Sequence, residues 1–183
     1  MNTENGTSDG RRERYYNGKI VFYHPNKNCS GAAARLELRL NRAGEEGYDC
    51  FFLEMARQKS VRNGNGNATF DWGEKVTVKL GFLDVCEFLT VLEGRAKSVG
   101  GERNSLYHQN GSGNTLIGLS ARDDGRYLLG LSRKTKGNGE QKRLSISLSQ
   151  VEATGLRQVL QTGLFFISFH SSLKIGAMRA EPA

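Results

Sequence analysis

Residues Lys75 to Leu92 read Lys-Val-Thr-Val-Lys-Leu-Gly-Phe-Leu-Asp-Val-Cys-Glu-Phe-Leu-Thr-Val-Leu, and the period of their apolar side chains changes at Gly81. Before it, Val76, Val78 and Leu80 alternate with Lys75, Thr77 and Lys79, the pattern of a half-buried strand. After it, Phe82, Val85, Cys86, Leu89 and Leu92 recur at helical spacing. Arg143 to Leu160 repeats the plan: Leu144, Ile146 and Leu148 alternate, Ser149 stands three residues before Glu152 as in a capping box, and Val151, Leu156, Val159 and Leu160 follow. Two strand-helix corners of one form divide the chain into halves of about 16–94 and 103–163.

Working outward, three further strands precede each corner. In the first half they are 18–23, stopped by Pro25, then 33–40 and 48–56, with 69–80 as an unbroken fourth. In the second half the strands are 105–109, 115–120, 127–132 and 143–148, with Asp123-Asp124-Gly125 as a hairpin turn. The second helix is expected to stop near Thr162, ended by Gly163, and Leu164 to Phe169 to dock as a separate apolar segment. The fold class is therefore α+β: two four-stranded antiparallel sheets, each followed by a helix. One domain spans 16–170, between a polar, basic tail at 1–15 and a second tail at 171–183. The first helix is apolar almost all round, so it needs cover from a second layer or another subunit.

The chain of 183 residues carries 26 basic and 19 acidic residues, a net +7, which favours partners bearing phosphate. Its cysteines, Cys29, Cys50 and Cys86, form no CxxC pair and no disulfide framework. There is no metalloprotease motif, phosphate loop or nucleophile elbow, so no catalysis, metal or cofactor is expected. Cys86, on an apolar helix face, reads as core rather than nucleophile. With no secretory or transit signature at the N-terminus, a cytoplasmic setting, bacterial or viral, is expected.

Binding is where the pattern is informative. Lys19, Arg35, Arg39, Lys75 and Lys79 fall on strands, and Phe22, Phe52, Phe70 and Trp72 lie on strands or near their ends. Arg57 and Lys59 border one flexible loop; Arg133 and Lys134 border its counterpart. Unpaired bases need flat rings and their linkages need positive charge, so a half-wet sheet with both suits single strands. Neither helix has the strongly basic face that a major groove would take. The alternatives are an RNA-binding or annealing protein, a protein-interaction module without nucleic acid, and an enzyme whose groups converge only in the fold.

Three stretches resemble the Whirly family of single-stranded DNA-binding proteins and, more distantly, mitochondrial guide-RNA-binding proteins. They are Tyr16-Asn17-Gly18-Lys19-Ile20-Val21-Phe22, Phe70-Asp71-Trp72-Gly73-Glu74-Lys75 and Leu164-Phe165-Phe166-Ile167-Ser168-Phe169. The resemblance implies two roughly perpendicular sheets, helices that hold a tetramer together, and single-stranded DNA laid across the sheets. It assigns Gly18 and Lys19 to assembly and strand binding, and Phe70 and Trp72 to the rings near the fourth strand. It also suggests Phe82, Val85, Leu89, Leu92 and Val159 as oligomer contacts. Asn17 departs from the family's lysine, and Ile20-Val21-Phe22 replaces two alanines and a leucine.

Overall fold

The structure is a computed structural model describing residues 18–41, 48–61, 67–137, 139 and 141–179, with side chains up to Phe169. The expected tail at 1–15, with Tyr16 and Asn17, lies outside the described residues. The first sheet holds β1 (Lys19–His24), β2 (Ala32–Arg39), β3 (Cys50–Ser60), β4 (Thr69–Phe70) and β5 (Val76–Leu80), and α1 (Phe82–Leu92) follows it. The second holds β6 (Leu106–Asn110), β7 (Gly113–Ala121), β8 (Tyr127–Thr135) and β9 (Gln141–Leu148), followed by α2 (Gln150–Arg179). All neighbouring strands are antiparallel.

The expected fourth strand is present but broken. β5 pairs with the first part of β3 and β4 with its last part, so both occupy one edge of β3. Between them Asp71 donates its backbone N–H to the Arg57 carbonyl, and its carboxylate accepts from the Glu74 N–H at 3.3 Å. That closes a short 3-10 turn, Trp72–Glu74, which lifts Trp72 out of the strand ladder.

Alternation gives each sheet one apolar face, and the two such faces share a single core. Leu36, Leu53, Met55, Val76 and Leu80 come from the first sheet, and Ile117, Leu119, Leu129, Leu131 and Ile146 from the second. Burial of each such side chain contributes about 1.5–3 kcal/mol. Val85, Leu89 and Leu92 of α1 belong to this core, at 0%, 8% and 6% exposure. They are therefore corrected as oligomer contacts: α2 and the second sheet of the same chain supply the cover that the apolar helix required. Val159 also packs on this core. What α1 leaves exposed is Phe82 and Leu83.

The halves are interlocked. α1 packs on β7 of the second half, and α2 lies along the inner side of β1, β2 and β3. Each helix start is tied to the opposite half by a histidine. Glu152 accepts from the Ser149 N–H and hydroxyl, both at 2.8 Å, and meets His24 Nε2 of β1 at 2.9 Å. Asp84 accepts from the Gly81 N–H at 2.8 Å and meets His108 Nε2 of β6 at 3.0 Å. The sequence repeat thus becomes a reciprocal pair of latches.

α2 does not stop at Gly163 but runs to Arg179, absorbing the expected docking segment and most of the expected tail. Gly163 is there because the helix touches the sheet: a Cβ would stand 2.1 Å from Phe51 Cζ. Phe51 is itself 1% exposed, so its ring has nowhere to go. Gly163→Ala should lower stability by about 1–3 kcal/mol in urea unfolding, although alanine in an unhindered helix would add about 1 kcal/mol.

The latch also makes a pH prediction. Burial alone would raise the Glu152 carboxyl, but the Ser149 hydrogen bonds and His24 outweigh it and hold it below the usual carboxylate range. A carboxyl depressed in the folded state stabilises above its unfolded pKa of about 4.3 and loses that contribution as pH falls through the folded value. Glu152→Gln should cost about 1 kcal/mol at pH 7 and show a smaller loss of urea midpoint than the parent below about pH 4.5.

Candidate nucleic-acid interface

The face of the first sheet turned away from the core is wet at Lys19, Tyr23 and Arg39 and closed over Ala33 and Ala56, and strand register decides what stands on it. One row runs Lys19, Glu37, Phe52, Lys79; the next runs Val21, Arg35, Glu54, Thr77; a third begins Tyr23, Ala33, Ala56. Three cations, Lys19, Arg35 and Lys79, and the rings of Tyr23 and Phe52, from four strands, therefore share one surface.

The centre of that surface is a carboxylate. Glu54 Oε2 accepts from Arg35 Nε at 2.6 Å and from Arg35 Nη2, while Oε1 takes Lys75 Nζ at 2.7 Å and the Thr77 hydroxyl at 3.3 Å. The residue is only 7% exposed. Burial by itself would raise this carboxyl, yet the hydrogen bonds from Lys75 and Arg35 prevail and hold it below the ordinary range. With its edge so held, the Arg35 guanidinium lies 4.6 Å from the centre of the Trp72 ring.

On one side of this cluster stand rings. Tyr23, 57% exposed, has its centroid 5.4 Å from that of Phe70. Tyr23, Phe70 and Trp72 wall a cavity of about 980 Å³ whose polar edge is Asn26, Lys27 and Gln58. Gln58 fixes that edge: its amide oxygen accepts from the Asn26 and Gly31 N–H groups, and its amide nitrogen donates to the Asn26 and Ser60 carbonyls. On the other side, Lys79 Nζ lies 4.5 Å from the Tyr48 ring centre and 6.0 Å from that of Phe52, and Lys19 pairs with Glu37 at 3.0 Å. Arg39 is exposed beyond them at the end of β2.

Other expected site residues fall elsewhere. Phe22 is corrected: it lies on the inner face, packed against the core. Arg57 is exposed but pairs in register with buried Ala32, so it leaves β3 on the inner side at the margin. Lys59 is exposed near the end of β3. Arg133 stands in the inner row of the second sheet, donating to the Ser112 hydroxyl at 2.6 Å, and Lys134 stands on that sheet's outer face. These two do not join the surface centred on Glu54. Gly18 is exposed with open space around it. Cys86 is half-buried, outside the core that Val85 and Leu89 join, and its thiol is pushed up by partial burial.

Sequence reading missed Glu54 and Tyr48. Glu54 had a signal: it is the lone acidic residue of β3, between Leu53 and Met55, with Arg35 opposite it on β2 and Lys75 just before β5. Also missed was the outer face of the second sheet, where Gly118, Gly130 and Ser145 form a bare row beside exposed Leu116 and Tyr107. Among the described residues no group of three or more His, Cys, Asp or Glu could hold a metal ion, and no helix is long and apolar enough to cross a membrane.

The chain is a tandem strand-and-helix fold whose first sheet carries cations and rings on its outer face. No protein-family model and no curated protein sequence matches the chain. Solved structures do. WHY1 from Arabidopsis thaliana aligns with TM-score 0.65 at 15% identity, covering 92% of this chain and 97% of that one. The plant transcriptional regulator PBF-2 aligns with TM-score 0.66 at 14% identity, covering 92% and 91%. A guide-RNA-binding protein complex bound to a guide RNA aligns with TM-score 0.57 at 18% identity, covering 85% and 94%. The chain has the Whirly fold.

Proposed function

We propose that this protein binds single-stranded DNA with little sequence preference, without catalysis, on the outer face of its first sheet. Bases stack on Tyr23, Phe70, Trp72 and Phe52, and phosphates follow Arg39 and Lys79, while Lys19 and Lys75 are held by Glu37 and Glu54. The observation that carries this reading is the register that sets Tyr23, Arg39, Phe52 and Lys79 on one sheet face, with Phe70 and Trp72 brought to it by their contacts with Tyr23 and Arg35. Net charge and the fold shared with the Whirly structures support it. The role is protection or handling of single strands in repair, recombination or replication. The likeness to a complex bound to guide RNA supports RNA as a second ligand on the same face.

We further infer a homo-oligomer, with a tetramer favoured. Phe82 and Leu83 on α1, and Phe165, Phe166 and Phe169 on α2, are exposed apolar side chains. Phe165 packs on both of the other two rings, at centroid distances of 5.8 and 5.4 Å. Such a cluster favours cover by another copy.

Trp72 is the single tryptophan, so its fluorescence reports on this face directly. Titration with oligo(dT) should quench it, and affinity should fall with salt by about 0.7 log units per phosphate contact per decade. Matched RNA serves as the second arm. Trp72→Ala, followed by anisotropy of a labelled oligomer, should weaken binding by about 1–3 kcal/mol. Absence of binding at low salt would refute the assignment. Light scattering should return the mass of four chains.

A further inference from the structure

We propose that Glu54 and Glu37 decide what this face accepts, by cancelling much of its positive charge from within so that a ligand must offer unpaired bases. A duplex, which presents mainly phosphate, is thereby refused. The inference rests on the function proposed above and names the residues that give it selectivity.

The sheet face carries five cations in its register and edge positions, Lys19, Arg35, Arg39, Lys75 and Lys79. Glu37 holds Lys19, and Glu54 is shared by Arg35 and Lys75. Three of the five are thus already engaged by a carboxylate before a ligand arrives. The cancellation is internal, because Glu54 is nearly buried and both its oxygens are occupied by the cations and Thr77. A phosphate that took Arg35 or Lys75 would have to strip a partner from a buried carboxylate and would approach that negative charge closely. Rings suffer no such conflict. Trp72, Phe70 and Tyr23 lie on one side of Glu54, and Phe52 and Tyr48 on the other. A strand can therefore gain on this face by stacking bases, with its backbone kept to the margins, whereas a closed helix has no base faces to give.

Counterion release makes the claim measurable. A cation already paired with a carboxylate releases little on meeting phosphate; a freed one adds about 0.9 to the salt slope for duplex and about 0.7 for single strands. Glu54→Gln keeps the shape and frees two cations. Its duplex binding should gain up to about 1.8 units of slope, so lowering salt from about 200 to about 50 mM should tighten duplex about tenfold more than in the parent. Single strands gain about 1.4 units by the same reckoning, so over that salt range the ratio of duplex to single-strand Kd should fall by about 1.7-fold. Glu37→Gln, at the sheet margin, should give about half the slope change and decides the matter if Glu54→Gln does not fold, as checked by its melting curve. A parent that prefers single strands, with folded variants that keep both its ratio and its slope, overturns this inference and leaves the binding function standing. A parent that binds neither nucleic acid overturns the function itself.

Discussion

Each sheet in this molecule can bury only one of its faces, and that constraint organises everything else. The inner faces meet in a shared core, so neither half has a core of its own. The helices cross over to close that core and pack on each other, α1 also against β7 and α2 along β1 to β3. With both helices on the inside, no described helix covers the outer face of the first sheet. Lys19, Tyr23 and Arg39 reach water there, while Ala33, Glu54, Ala56 and Gln58 are buried among their neighbours, so what stands at the exposed positions is a matter of ligand chemistry rather than of packing.

That wet face is not a simple basic patch. Its middle is a carboxylate held by two cations, and its flanks are rings, two of which already carry a cation above them. An Arg side chain held along one edge and laid on an indole has lost most of its freedom before any ligand arrives, which lowers the entropic cost of binding. Gln58 does the same for the loop that borders the cavity, tying Asn26, Gly31 and Ser60 to one strand position. The surface is therefore preorganised and only mildly charged, a combination suited to flat, neutral base faces linked by a charged backbone.

Much of this was legible in the residues. Period-two alternation located the strands, and the change of period at Gly81 and Ser149 located both corners. The Ser149 to Glu152 capping box forms as its spacing implied. What failed were matters that local pattern does not encode. Gly163 has the composition of a helix end, but its missing Cβ serves a contact with Phe51, over a hundred positions away. Phe22 looked like a ring for bases; only pairing with β2 shows that it follows Ala34 inward while Tyr23 follows Ala33 outward. Val85, Leu89 and Leu92 were correctly read as needing cover, but the choice between an intramolecular layer and a partner depends on topology. Glu54 looked like one more solvent-facing polar residue, because its partners come from other strands.

The central claim is that single strands lie on the outer face of the first sheet. Photocrosslinking with an oligonucleotide carrying 5-iododeoxyuridine, followed by peptide mass spectrometry, tests it most directly. The account predicts adducts at Trp72, Phe70, Tyr23, Tyr48 or Phe52. Adducts confined to the second sheet or to the exposed rings of α2 would contradict it.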